Sequence, residues 1–215
     1  MTDREPVNIM GVIAFPNPNK DERMIRFIDS EYHTLLTIKD GESIVITRFD
    51  GEKMVFPCKY IDDYHVCIGN SAYHICEFAE MQERNGNTYV PRTPKISAEI
   101  GTYEIYQISA TADADYCFRP YAEAKGKLQN ADYQRSYAGM YAKENSLEQL
   151  WNRHNRDNRP FGQKMHSLSV SDIVVLTQGG KKTAYYADTI GFKEAPEFLA
   201  QQRVQKKHKE RGEAR

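Results

Sequence analysis

"SIVITRFDGEKMVFPCKYI", residues 43–61, alternates apolar and polar side chains on both sides of Asp50-Gly51. Successive side chains of a strand point to opposite faces, so this period-2 pattern predicts two half-buried strands. Asp-Gly tolerates the positive φ angles of a tight turn, which makes the stretch a hairpin signal. Working outward, "MIRFID" at 24–29, "TLLTI" at 34–38 and "YHVCI" at 64–68 read as further strands, with Asp62-Asp63 as a turn. The period then changes. Ala72, Ile75, Cys76 and Ala79 fall at i, i+3, i+4 and i+7, a helical stripe that predicts a helix over 71–86. Asn70 or Ser71 would cap its start, and Asn85-Gly86 would close it.

The second half repeats the theme. "TYEIYQIS", residues 102–109, is a clean alternating strand. Ser146 opens a helix at "SLEQLWNRHNRDN", with Gln149 in the capping-box position and Leu147, Leu150 and Trp151 as the expected buried stripe. "SVSDIVVLT", the turn "QGG" and "KKTAYYADTIGF" predict a second hairpin. The stretch from Tyr116 to Ala142 shows no clear period. The expected fold class is α+β: two small modules, each an antiparallel sheet with one or two helices. The expected organisation is an N-terminal arm over 1–22, a β-rich domain with a C-terminal helix over 23–87, and a linker over 88–101. An α+β domain over 102–199 and a charged helical tail over 200–215 follow.

Composition narrows the function classes. The 215 residues carry 29 Lys+Arg against 30 Asp+Glu, a net charge of -1. No global basic excess marks a nucleic-acid binder, and no acidic excess marks a mimic of DNA. No run approaches the length of about 20 apolar residues that spans a bilayer. The early charges do not fit a secretory signal, so a cytoplasmic protein with reduced Cys58, Cys67, Cys76 and Cys117 is expected.

Tyr-His-x-Cys occurs twice, at Tyr64–Cys67 and Tyr73–Cys76, and raises the question of zinc. Four donors must converge within about 2.0–2.3 Å of the ion. His65 and Cys67 would share one strand face. His74 and Cys76 on a helix would diverge by about 200°. The spacing also departs from the usual Cys-x2-4-Cys and His-x3-5-His forms. No metal and no cofactor are expected, and the cysteines read as small core hydrophobes.

Other clusters have plainer readings beside sharper ones. Residues 165–176, "MHSLSVSDIVVL", hold His166, three serines and Asp172, but no Gly-x-Ser-x-Gly elbow. They read as a strand whose hydroxyls satisfy backbone groups. Arg153, Arg156 and Arg159 surround Trp151 and Phe161, which suits nucleic acid or a protein interface, and also suits an ordinary helix C-terminus. Asp62, Asp63, Glu77, Glu80 and Glu83 give the first half an acidic side near Tyr60 and Tyr64, which reads first as ordinary solvent-facing charge and also fits a basic groove on a partner. The basic end from Arg203 suits nucleic acid through counterion release. Phosphate-binding glycine loops, paired helical histidines and Cys-x-x-Cys are absent from the sequence.

Residues 24–89 resemble a large polyvalent protein-associated domain. The second half resembles the YodL-like domain through Met165-His166-Ser167-Leu168-Ser169-Val170-Ser171-Asp172, Ala184-Tyr185-Tyr186-Ala187-Asp188, Gly191-Phe192 and Pro196-Glu197-Phe198. Met165 stands where glycine is frequent in that family. The resemblance implies a setting in mobile genetic elements of bacteria, often beside antirestriction genes, and carries no catalytic residues. The expectation is a non-enzymatic accessory protein that binds and inhibits a host defence component, a CRISPR–Cas or restriction nuclease. The expected contacts are Tyr60, Asp62, Asp63, Tyr64, Arg153, Arg156 and Arg159. The alternatives are a nucleic-acid-binding module using Arg153–Arg159 and the basic tail, and an enzyme using His166 and Asp172.

Overall fold

A computed structural model describes the backbone of 7–9 and 12–14, and residues 23–92, 100–162 and 164–202 with their side chains. Its sheets are mostly antiparallel and its helices short, an α+β architecture. The chain divides into two compact units. The first is Met1–Gly101 with Met140–Glu144, and the second is Thr102–Gly139 with Asn145–Arg215.

The first unit opens with a small hairpin, β1 (Val7–Ile9) and β2 (Val12–Ala14). The rest of the expected 1–22 arm lies outside the described residues. A two-stranded ribbon follows, β3 (Met24–Ile28) with β4 (Thr34–Lys39). A five-stranded sheet then forms from β5 (Ser43–Thr47), β6 (Lys53–Tyr60), β7 (His65–Ile68), β8 (Ser71–His74) and β9 (Thr88–Pro91), in the order β8-β7-β6-β5-β9. The hairpin read from 43–61 is present, with Thr47 opposite Lys53 and Gly51 at φ 95°. Pro57 sits where β6 changes partners. Residues up to Pro57 pair with β5, and Cys58–Tyr60 pair with β7. A residue without an N–H is tolerated at such a handover.

Helix α1 (Ile75–Arg84) is shorter than the sequence pattern predicts. Residues 71–74 are strand instead, because Gly69-Asn70 makes a two-residue hairpin that pairs Ile68 with Ser71 and His65 with His74. Residues 88–91 are likewise strand rather than linker, since Thr88–Pro91 completes the ladder on β5. Residues 93–99 lie outside the described residues. The core gathers Ile25, Phe27, Leu36, Ile38, Ile44, Val66, Phe78 and Tyr89, together with Met140 and Ala142. Tyr89 packs edge-on against Phe27 and Phe78, with ring centroids 5.5 and 5.2 Å away, and Phe27 and Phe78 meet at a tilt with centroids 5.4 Å apart.

The second unit is built on β10 (Gly101–Ile108), β11 (Tyr133–Tyr141), β12 (Ile173–Gln178), β13 (Lys181–Ala187) and β14 (Phe192–Glu194), in the order β11-β10-β12-β13-β14. The expected hairpin over 173–187 is present. Its turn residues Gly179 and Gly180 have φ 53° and 77°, which only glycine adopts freely. The unpatterned stretch holds α2 (Tyr121–Ala124), a 3-10 turn at Asn130–Asp132 and the long strand β11. Helix α3 (Leu147–His154) starts on Ser146 with the predicted capping box. Residues 196–202 form a closing helix whose Phe198 packs with Ile173, Val175, Ala184 and Tyr186. The tail from 203 lies outside the described residues.

Candidate functional site

The acidic corner of the first unit is a structured turn between β6 and β7. Asp62 Oδ1 accepts hydrogen bonds from the backbone N–H of Tyr64 and of His65, each 2.8 Å away. It also lies 2.8 Å from His65 Nδ1. Partial burial pushes the Asp62 carboxyl up, but the donors of Tyr64 and His65 outweigh it and hold the group below its usual range. The Tyr60 hydroxyl donates to Asp63 Oδ1 at 2.5 Å, and this bond above all pushes the phenol up to about 12. Tyr60, Asp62, Asp63 and Tyr64 are therefore brought together, and their acids organise the loop that displays them.

The two Tyr-His-x-Cys segments also meet here, on neighbouring strands. His65 and His74 are cross-strand partners with rings 5.5 Å apart. The expectation that helix geometry separates them is corrected: Tyr73 and His74 precede the helix. His74 Nδ1 instead accepts the Cys76 N–H at 3.3 Å as the N-cap of α1. Cys67 Sγ faces the Gly69 carbonyl at 3.5 Å. Among the described residues, no three His, Cys, Asp or Glu side chains gather in a way that could hold a metal ion.

In the second unit the arginine group is divided. Arg156 is exposed and Arg159 half-buried, but Arg153 is only 8% exposed. Arg153, one of the expected contacts, thus lies on the inner side of its helix: the buried stripe of α3 is Leu150, Arg153 and His154, not the purely apolar set expected. His154 is fully buried. Its burial, and then the charges of Arg153 and Arg159, push its imidazole down to about 3. Its Nε2 lies 2.9 Å from the Tyr103 hydroxyl.

The segment before β12 is a loop, not the expected strand with serines on one face. Ser171 has φ 79°, and its Oγ accepts the Phe118 N–H. Asp172 is 2% exposed and accepts from the Ser169 N–H at 2.9 Å and from Gln107 Nε2 at 3.0 Å. Gln107 Nε2 also lies 2.8 Å from His166 Nδ1. Burial pushes the Asp172 carboxyl up to about 6. His166 and Asp172 thus stand 4.0 Å apart with an amide bonded to both. The carboxylate is spent on holding the loop, and none of the serine hydroxyls is bonded to the imidazole: Ser169 Oγ donates to the Ser167 carbonyl. That arrangement lacks the nucleophile–base hydrogen bond that acyl transfer requires.

A feature absent from the sequence reading is an open pocket of about 460 Å³ lined by Glu148, Trp151, Val170, Asp188, Thr189, Gly191 and Phe192. Trp151 and Phe192 meet edge to face with centroids 6.3 Å apart. Asp188 Oδ1 is fixed by the N–H groups of Tyr121 and Thr189 at 3.1 and 2.8 Å. Glu148 lies in the first turn of α3 and makes no ion pair among the described residues. Ile190, between two lining residues, is 86% exposed. The individual residues sit far apart in sequence, in a helix, a loop and a strand, so only the fold assembles them.

Comparison with known proteins places one part of the chain. Residues 102–198 match the family described as YodL-like domain. No curated protein and no solved structure matches the chain. The matched residues run from the start of β10 to Phe198 in the closing helix. This segment, which carries the buried His154 and the Trp151 pocket, is a YodL-like domain.

Proposed function

We propose that the chain acts by binding: an accessory protein of a mobile genetic element that occupies a host defence component, a CRISPR–Cas or restriction nuclease, in the bacterial cytoplasm. In this reading the protein consists of two modules, the first a large polyvalent protein-associated domain and the second the YodL-like domain. The observation that carries a binding role is the pocket of Trp151 and Phe192 beside Glu148 and Asp188. Aromatic faces attract a cation, and the carboxylates of exposed Glu148 and half-buried Asp188 add to that attraction. Nucleases present Lys and Arg to nucleic acid. The pocket suits one such side chain, and exposed Ile190 supplies apolar contact beside it. The Asp62–Asp63 corner adds a second acidic surface.

The test is protection. Purified chain is mixed with restriction and CRISPR–Cas nucleases, and cleavage and complex formation are measured. A complex that Trp151→Ala and Glu148→Lys each weaken about tenfold or more supports the proposal. Absence of a complex with every nuclease tried in the native host overturns it. Affinity for bare duplex or single strands that falls steeply with salt would favour the nucleic-acid-binding alternative instead.

A further inference from the structure

The first unit holds a second cavity, of about 340 Å³, lined by Arg26, Thr34, Leu35, Leu36, Thr37, Lys143 and Glu144. Its origin lies in the β3–β4 ladder. Ile25 opposes Ile38 and Phe27 opposes Leu36, and all four are buried in the core. Arg26 opposes Thr37, so this pair points to the other face. A bulge between Phe27 and Ile28 shifts the register and aligns Thr34 with Ile28.

Arg26 is half-buried there, and among the described residues its guanidinium makes neither an ion pair nor a hydrogen bond. Burial holds it below the usual arginine range, and the opposing influence of Cys76 is small because that thiol is itself pushed up by burial and stays neutral. Lys143 also makes no ion pair among the described residues, and the hydroxyls of Thr34 and Thr37 make no hydrogen bond there. Glu144 is exposed and does not act on Arg26. A desolvated cation without a partner is costly, and an anion in the cavity would remove that cost.

The geometry points to a binding site for a small organic phosphate. Arg26 offers a planar fork of N–H donors, Lys143 a mobile ammonium, and the two threonines neutral O–H donors. Four donor groups match the several oxygens of a phosphate better than the two of a carboxylate. Leu35, next to the bulge, gives the cavity lining an apolar contact for the ligand's carbon skeleton, and Glu144 an acceptor for one of its hydroxyl or amino groups. A cavity of this size lies at the lower end of the range for small-molecule sites, roughly 300–1,000 Å³.

Titration of the full chain, followed by backbone amide NMR shifts, tests the site with inorganic phosphate, glycerol phosphate and acetate as probes. Saturable shifts at Arg26, Thr37 and Lys143 are expected with both phosphates, tighter with glycerol phosphate. Arg26→Ala should abolish them, and Arg26→Lys should weaken binding about tenfold by replacing the fork with a point charge. Thr37→Ala, an exposed change that leaves the fold intact, should weaken binding while the thermal midpoint holds. The proposal is overturned by absence of saturation at about 10 mM phosphate, a range that detects even millimolar affinity. Equal binding of acetate and phosphate, or binding undisturbed by Arg26→Lys and Thr37→Ala, overturns it as well.

Discussion

His154 Nε2 and the Tyr103 hydroxyl lie 2.9 Å apart in the interior of the YodL-like domain. Tyr137 stacks its edge against the same imidazole, with centroids 4.7 Å apart. A neutral ring fits this place and a charged one does not. The native imidazole is pushed down to about 3, below the ordinary value near 6.5. The unfolded chain therefore takes up a proton that the native chain refuses. This contribution to stability is present above pH ~6.5 and is lost as pH falls toward 3, by at most about 1.4 kcal/mol per pH unit. Urea unfolding between pH 4 and 7 should show that loss, and His154→Gln should reduce the pH dependence.

Asp172 works in the opposite sense. Its native carboxyl is pushed up to about 6, above the ordinary value near 3.9. The native state binds this proton more tightly than the unfolded state. Its contribution is full below about pH 4 and is lost as pH rises through about 6. Asp172→Asn should therefore steepen the fall of stability on acidification that His154 causes. The two variants should move the slope of stability against pH in opposite directions, and equal shifts in one direction would refute both assignments.

Gly139 in β11 is enclosed by tyrosines. A Cβ there would stand 2.8 Å from Tyr137 Cε1 and 2.9 Å from Tyr103 Cε1. Both rings are fully buried and pack with centroids 5.5 Å apart, so neither moves freely. Gly139→Ala should cost about 1–3 kcal/mol, the usual price of overpacking a core. A thermal midpoint equal to the wild type would show that the rings yield.

His74 serves α1 by accepting the Cys76 N–H. His74→Ala should destabilise the first unit by about 1 kcal/mol. His74→Asn or His74→Ser should recover most of that loss, because either side chain can accept the same N–H. Denaturant midpoints for the three variants decide between a capping role and ring packing against His65. If ring packing dominates, all three variants lose alike.

The hairpins were legible because each strand shows one face to the core, and alternation records that fact. The Ser146–Gln149 capping box was legible for a local reason: both partners lie within four residues. β11 was not legible, since from Ser136 to Tyr141 both of its faces are buried and the period-2 signal disappears. The start of α1 was misplaced because Ala72 and Ile75 fit a helical stripe while Gly69-Asn70 also fits a two-residue turn. Cross-strand pairing with β7 decided the competition. The inward turn of Arg153 and the assembly of the Trp151 pocket depend on contacts across many tens of residues, which no local pattern encodes.

Met140 and Ala142, inside the segment that matches the YodL-like family, complete the core of the first unit, where Met140 Sδ receives the Tyr89 N–H at 3.3 Å. The matched stretch is therefore not a transplantable cassette. Grafting residues 102–198 onto another protein would carry away a plug that its former neighbour requires. Recombination that exchanges this segment among genes must preserve an apolar residue at each of those two positions, or leave the remainder with a hole.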